Sequence, residues 1–265
     1  MKQRYHILDE IRGITLCSMI IYHTVWDLVY MFGMNWEWYQ SDFAYIWQQS
    51  ICWSFILLSG FCFSIGKNKF KRGGVIFSAG IVISLVTEIF MPQNRIRFGV
   101  LTLLGSCMLI LAIVEWGIAK FQMKRNAEIV EKEKQTTNIS GFVISILLFA
   151  LTKRINYGYL GFADVRLVRL PDVLYGMGDF GNFLGFTERT FYSTDYFSLM
   201  PWFFLFMAGY FLFKTARKAG WLSGLYDAPS LGKWWRMLGK HSLPIYMLHQ
   251  PLVYGILYLW WEVCG

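Results

Sequence analysis

The chain has 265 residues and a mass of 31.0 kDa; 55% of its residues are hydrophobic, 19% are aromatic and 16% are charged. Soluble domains contain about 25% charged residues, and disordered chains, coiled coils, collagens and disulfide-rich scaffolds have other compositions. With a mean hydropathy of +0.39, the composition predicts an all-α, polytopic membrane protein rather than a soluble one.

The net charge of +8 does not by itself indicate nucleic-acid binding. In a membrane protein, basic residues follow loop topology and contact anionic lipid head groups. The five cysteines contain no CxxC pair, which favours buried thiols over a metal site or disulfides. Because Asp9, Glu10 and Arg12 lie where a signal peptide has its apolar core, we expect the first helix to be retained.

A membrane span needs about 20 apolar residues. Seven stretches reach or approach that length: about 11–32, 46–66, 73–91, 98–119, 139–153, 196–213 and 242–262. With a cytoplasmic N-terminus, 17 of the 25 Lys and Arg residues fall on the inner side. The positive-inside rule therefore predicts a cytoplasmic N-terminus and an extracytoplasmic C-terminus in the cell membrane.

The segment 154–195 contains six glycines and is too polar for a span. A further crossing here would move the basic segment 214–240 to the outside, against the positive-inside rule. We expect an extracytoplasmic or re-entrant element packed on protein. The whole chain, 1–265, is predicted to be a single integral-membrane domain.

The first helix carries four ionisable residues on one side: Asp9, Arg12, His23 and Asp27. Arg12 and His23 are three helical turns apart, about 16 Å along the axis, so Arg12 lies near the inner end and His23 near the midplane. Asp27 is one turn beyond His23 and is placed to orient its imidazole, while Asp9 is the expected partner of Arg12. Ionisable residues inside a span usually mark a site; the alternative is a polar cluster that joins helices.

The last span supplies a second pair of histidines. Ser242 and Pro244 predict a helix start, which places His241 at the inner end, where it contacts a phosphate or lipid head or is simply interfacial. His249 lies two turns deeper, before Pro251, and either lines the same cavity as His23 or makes a structural hydrogen bond beside a proline kink.

Two residues lie at the outer ends of other predicted spans. Arg97, with Arg95, is either an interfacial anchor or part of an acceptor site. Asp195 either caps the helix that follows it or contacts an acceptor. The sequence has no Walker loop, GxGxxG or HExxH motif, and no metal-ligand spacing.

Four blocks resemble one known family, the heparan-alpha-glucosaminide N-acetyltransferase catalytic-domain family. The blocks are RYHILDEIRGITLCSMIIYHTVWDL (4–28), IRFGVLTLLGSCML (96–109), LGFTERTFYSTDYFSLMPWFFLFMAGYFL (184–212) and LGKHSLPIYMLHQPLV (238–253). The first also carries, as Arg12 and His23, the Arg-x10-His pattern of the wider membrane acyltransferase superfamily.

This resemblance implies transfer of an acyl group, typically acetyl, from cytoplasmic acetyl-CoA to an acceptor on the other side. It implies that His23 is catalytic and that Arg12 lies on the coenzyme A side. From its place one turn beyond His23 we assign Asp27 to the catalytic group as well, and we assign His241 and His249 to the coenzyme A side. Asp195 and Arg97 are assigned to the acceptor. The large luminal N-terminal region of the lysosomal members has no counterpart in this sequence, so we expect a sugar or polymer group of the cell envelope as acceptor. The imidazole either deprotonates the acceptor or takes the acyl group itself.

Two other classes of function remain open on the residues alone. A proton-coupled transporter would use the same buried groups as a relay but usually shows internal repeats, which are not visible here. A structural membrane subunit would not need charged groups at span depth. The expected partners are acyl-CoA, the acceptor and membrane lipids, with no nucleic acid and no metal; a homodimer is left open.

Overall fold

The computed structural model describes residues 5–122, 127–162 and 165–264, and the side chains of 122–137 and 264 are not described. Lys2, Arg4 and Gly265, which belong to the termini whose sides of the membrane were predicted, lie outside the described residues. About three quarters of the described residues are helical, which confirms the all-α class. The helices are α1 (His6–Tyr30), α2 (Asp42–Phe63), α3 (Lys69–Phe90), α4 (Val100–Gln122), α5 (Ala127–Thr152), α6 (Gly178–Leu184), α7 (Leu199–Lys218), α8 (Leu222–Tyr226), α9 (Lys233–Lys240) and α10 (Ser242–Cys264).

Five described segments are long and apolar enough to cross a membrane: Asp42–Phe63, Lys69–Phe90, Val100–Phe121, Asn138–Tyr157 and Leu199–Lys218. The other two predicted spans form α1 and α10, of 25 and 23 residues. At 1.5 Å per residue these helices are about 37 and 34 Å long, enough for a hydrocarbon core of about 30 Å, although neither is among the five. Seven crossings therefore stay a prediction.

The described residues of the glycine-rich segment 154–195 form short elements. A hairpin of β1 (Tyr159–Phe162) and β2 (Val165–Arg169) pairs antiparallel, with Tyr159 opposite Arg169. The seven-residue helix α6 follows. Of the elements described in this segment, none approaches the length of a span, since a crossing helix needs about 20 residues. This favours the predicted cap or re-entrant element over an eighth crossing.

The chain divides into two compact units, one formed by 1–58 and 219–265 and the other by 59–218. In the first unit, α1 and α9 approach until their backbones touch. A Cβ on Gly13 would lie 2.0 Å from the carbonyl oxygen of Trp235, and one on Gly239 would lie 1.8 Å from that of Asp9. Only glycine permits this contact, because any side chain would overlap the facing backbone.

Helices α1 and α10 of the first unit run in the same direction. Near its start α1 contacts α9, which immediately precedes α10; further along, His23 meets His249, and just past the end of α1 Phe32 meets Tyr254. If both helices cross the membrane, their common direction requires an odd number of crossings. The predicted seven spans satisfy this condition.

The second unit is built from α3, α4, α5 and α7. Its buried apolar side chains include Leu103, Cys107, Leu205 and Phe206. The rings of Phe63 and Phe206 lie 6.0 Å apart, edge to face. Such packing of aromatic and aliphatic side chains holds helices together where lipid removes the hydrophobic driving force.

Candidate active site

The ionisable residues at the start of α1 form the pair that their spacing predicts. Nη1 of Arg12 donates a hydrogen bond of 3.2 Å to Oδ1 of Asp9, one turn earlier. Both side chains are largely buried, with 21% of Arg12 and 7% of Asp9 exposed. The pair lies about 16 Å from His23 along the helix axis.

His23 and His249 are brought together from helices 226 residues apart in the sequence. Their ring centroids are 5.1 Å apart, and the rings are inclined at 56°. His249 is buried. Because α1 and α10 run side by side in the same direction, each helix presents its deep histidine at the same level. Of the two alternatives for His249, the structure thus favours a position beside His23, although the structural hydrogen bond is also present.

That hydrogen bond fixes which nitrogen of His249 carries the proton. Nδ1 lies 2.6 Å from the carbonyl oxygen of Tyr246, one turn earlier on α10. A carbonyl oxygen only accepts, so Nδ1 is the donor and Nε2 keeps its lone pair. Nε2 is buried and has no hydrogen-bond partner within the described residues. It is therefore an available proton acceptor.

Asp27 is joined to α10 rather than to His23. Its Oδ1 accepts a hydrogen bond of 2.7 Å from Nε2 of Gln250. The expectation that Asp27 orients the His23 imidazole is not reflected in a hydrogen bond between them. The amide of Gln250 instead occupies one oxygen of the carboxylate from α10.

No sequence pattern indicated Gln250, whose only signal was its place between His249 and Pro251. Oε1 of Gln250 and Oδ2 of Asp27 are buried without a hydrogen-bond partner, like Nε2 of His249. Buried polar atoms are nearly always paired, so unpaired ones need an explanation. Three such atoms on two adjoining helices mark a place that can bind the polar groups of a substrate.

His241 lies apart from this cluster, between α9 and α10. Its Nδ1 is 3.0 Å from the carbonyl oxygen of Met237, and its side chain is exposed. α10 begins at Ser242, as Ser242 and Pro244 predicted. His241 is accordingly at the same end of the unit as Arg12.

Glu10, to which the sequence patterns assign no partner, is fully buried between α1 and α9. Oε2 accepts a hydrogen bond of 2.8 Å from the backbone N–H of Leu231, and Oε1 accepts one of 2.8 Å from Ser230. Arg236 donates to Oε1 as well. Burial alone would raise the pKa of Glu10, but the hydrogen bonds from Arg236, Leu231 and Ser230 outweigh it and lower the pKa to about 2.

The two residues assigned to the acceptor lie in the second unit. Arg97 donates to Oδ2 of Asp179 at 2.5 Å, and its backbone N–H donates to Oγ of Ser193 at 2.9 Å. Asp195 caps a helix, but the helix is α4 rather than α7, because its carboxylate accepts a hydrogen bond from the N–H of Val100. Burial raises the pKa of Asp195 to about 6 despite that bond.

In the parts of the chain that the structure describes, no three His, Cys, Asp or Glu side chains come together as around a metal ion.

The comparisons with known proteins agree with the resemblance drawn from the four blocks. The family model described as "Heparan-alpha-glucosaminide N-acetyltransferase, catalytic" matches residues 4–125 and 138–251. These ranges include α1 with His23 and the part of α10 with His249 and Gln250. No curated protein and no solved structure matches the sequence. The chain belongs to the heparan-alpha-glucosaminide N-acetyltransferase catalytic-domain family, a family of membrane acetyltransferases.

Proposed function

We propose that the protein transfers an acetyl group from cytoplasmic acetyl-CoA to a hydroxyl or amine of an extracytoplasmic acceptor, a sugar or cell-envelope glycan, at the site formed by α1 and α10. The observation that carries this proposal is the pair of imidazoles, His23 and His249, with the buried and unpartnered Nε2 of His249. An acyl transfer needs a group that accepts the acceptor's proton, and a neutral imidazole is suited to that task near pH 7.

The chemistry follows from this arrangement. The oxygen or nitrogen of the acceptor attacks the thioester carbonyl while its proton passes to an imidazole nitrogen. The C–S bond breaks, and the thiolate of coenzyme A then takes up that proton. His23 serves as the base or as a transient carrier of the acyl group. His249, anchored by Tyr246, holds a second nitrogen beside it.

The polar groups around the imidazoles have supporting roles in this proposal. Asp27 and Gln250 fix one another and present Oδ2 and Oε1 to the substrates. At the inner end of the unit, Arg12 and His241 serve the phosphates of coenzyme A, for which a guanidinium is well suited. The distance of about 16 Å between Arg12 and His23 leaves room for the pantetheine arm.

The test measures thiol release from acetyl-CoA by purified protein in detergent, with amino sugars and envelope glycans as acceptors. His23→Ala should lower kcat by about 10²- to 10⁴-fold, the usual contribution of a general base. His249→Asn is the sharper variant, since the Asn amide can still donate to Tyr246 but has no atom at the place of Nε2. We expect it to lower kcat while the unfolding temperature changes little.

His6→Ala is the matched control, because His6 is the first residue of the same helix, at its far end from His23. It should retain wild-type turnover. Retention of more than a tenth of wild-type kcat by His23→Ala would contradict the proposal.

A further inference from the structure

A cavity of about 560 Å³ lies in the second unit, at the start of α3 and beside α4 and α7. Its volume is within the range of about 300–1,000 Å³ that small-molecule sites occupy. The polar residues that line it include Asn68, Lys69, Glu115, Tyr210 and Lys214. None of these residues takes part in the proposed acetyl transfer.

The charged side chains of the cavity form one continuous network. The ammonium group of Lys69 donates to Oε2 of Glu115, and the Tyr210 hydroxyl donates to Oε1 of Glu115 at 2.7 Å. The ammonium group of Lys214 in turn donates to the oxygen of Tyr210. About a quarter of Lys69 and of Glu115 is exposed, so the network reaches the open space of the cavity.

The charge around the cavity is positive. Arg72 adds a third cation, because its guanidinium lies against Gly66, another lining residue, where a Cβ would be 1.5 Å from Nη1. The two lining ammonium groups, of Lys69 and Lys214, and the neighbouring Arg72 outnumber the one carboxylate in the lining, that of Glu115. An ammonium group has three N–H donors, so Lys69 can hold Glu115 and a further acceptor together. The cavity therefore suits an anion.

The start of α3 lies at the edge of the cavity. Asn68 has a φ of 53°, in the left-handed region, and its side chain does not cap α3, which begins at Lys69. The first N–H groups of a helix favour a negative charge. On the orientation predicted from the basic residues, this end of α3 is cytoplasmic.

We propose that this cavity binds the phosphate group of an anionic ligand at the cytoplasmic face. Lys69, Lys214 and Arg72 supply the charge, and the half-exposed rings of Phe70 and Trp116 supply an apolar wall for the rest of the ligand. The phosphate comes from one of two sources, a soluble nucleotide or an anionic lipid head group. This proposal does not depend on the α1/α10 site, and either of the two can be wrong without affecting the other.

The experiment uses the full chain and two phosphate probes. Adenosine 3′,5′-bisphosphate is titrated calorimetrically against protein in detergent. In the second arm, the unfolding temperature is measured in nanodiscs of phosphatidylcholine with and without phosphatidylglycerol. We expect the Lys69→Gln/Lys214→Gln variant to bind the responding probe at least tenfold more weakly than wild type, or to lose the stabilisation by the anionic lipid.

Lys218→Gln is the matched control, since Lys218 is exposed and lies one turn beyond Lys214 on α7. It should behave as wild type. Glu115→Gln separates binding from a merely structural role: loss of the carboxylate should tighten phosphate binding severalfold, although it breaks the Lys69 pair. If the double glutamine variant does not fold, Lys69→Arg/Lys214→Arg keeps the charge and should keep the binding.

A nucleotide response that Lys69→Gln/Lys214→Gln weakens identifies a nucleotide site in this cavity, and a response to phosphatidylglycerol alone that the same variant loses identifies a lipid site; both support the proposal. A nucleotide response that the double variant keeps comes from the coenzyme A site at Arg12 and His241 and overturns the proposal. The proposal is overturned if neither probe responds, or if Glu115→Gln leaves the response unchanged. It is also overturned if Lys218→Gln loses as much binding as the double variant. His23→Ala should leave the response intact, so failure of the acetyl-transfer proposal would be seen separately.

Discussion

Arg236 donates two hydrogen bonds to the same oxygen of Glu10, from Nε at 3.1 Å and from Nη2 at 2.8 Å. The carboxylate is fully buried, whereas a third of the Arg236 side chain is exposed. Glu10 thus ties the start of α1 to α9 through a charge that cannot be hydrated. This contact gives the first unit a dependence on pH that its sequence did not reveal.

We expect the stability of the protein to fall in acid because of Glu10. Its pKa is about 2 in the folded chain, against an ordinary 4.5. The contribution is therefore complete above about pH 4.5 and is lost as the pH falls from there toward 2. Glu10→Gln should cost about 1.5–3 kcal/mol at pH 7, the usual value of hydrogen bonds to a charged group, and should flatten the pH profile of the unfolding temperature between pH 5 and 3. Glu37→Gln, at an exposed position of the same unit, should leave the profile unchanged; an equal effect of both variants would contradict the prediction.

Asp195 should act in the opposite direction. Its pKa is raised from 3.8 to about 6 by burial. The stability linked to its proton is present below about pH 3.8 and is lost as the pH rises through 6. Compared with Asp195→Asn, the wild type should lose roughly 2–3 kcal/mol of stability between pH 4 and 7. Asp172→Asn, at an exposed side chain, serves as control. A difference between wild type and Asp195→Asn that stays constant over this range would refute the assignment.

The contact between Gly13 and Trp235 predicts a steric effect. Gly13→Ala places a methyl group 2.0 Å from the Trp235 carbonyl oxygen, so α1 and α9 must separate at a cost of about 1–3 kcal/mol. Gly255→Ala, in α10 with nothing within 4 Å of its added Cβ, should be neutral or stabilising by up to about 1 kcal/mol because alanine favours a helix. Thermal unfolding of both variants checks this. Equal unfolding temperatures would mean that the two helices can part without loss.

Gln250 should affect turnover more than substrate binding. Gln250→Ala removes the amide that holds Oδ1 of Asp27 and leaves that oxygen without a donor, a change worth about 1–3 kcal/mol. If this free energy is added to the activation barrier, kcat falls by about 5- to 150-fold. The apparent KM for acetyl-CoA should stay near wild type. A loss of folded protein would also lower the apparent kcat without changing KM, so the unfolding temperature is measured in parallel. Gln40→Ala, at an exposed position, is the control. An unchanged kcat in Gln250→Ala would remove Gln250 and Asp27 from the site.

Single cysteines, in a protein whose five native cysteines are replaced by alanine, test the orientation. An impermeant thiol reagent applied to intact cells should label Val173→Cys, in the glycine-rich segment, and should not label Lys218→Cys. Both positions are exposed, so reactivity reports the side of the membrane. Asn182 is unsuited although it lies in the same segment, because it is buried and its Oδ1 accepts a hydrogen bond from the N–H of Glu188. Labelling at Lys218 would mean an eighth crossing within 154–195.

The sequence by itself determined what depends on composition and on helical spacing. The excess of apolar residues predicts membrane helices wherever it runs for about 20 residues, and the three-residue spacing of Asp9 and Arg12 predicts their ion pair. The four motif blocks predicted the family. Each of these properties is local, since it involves residues within one helix or residue types counted along the chain.

Only the tertiary structure decided which polar groups meet across helices. The spacing within α1 suggested that Asp27 serves His23, but Gln250, 223 residues away, binds Asp27 instead. Asp195 precedes α7 yet caps α4, and Glu10 finds Arg236 on α9. Such partners depend on how neighbouring helices are rotated and how closely they approach. Close packing at contacts such as Gly13 against Trp235 sets the rotation of the helices and their distance. The periodicity of a single segment carries no information about either.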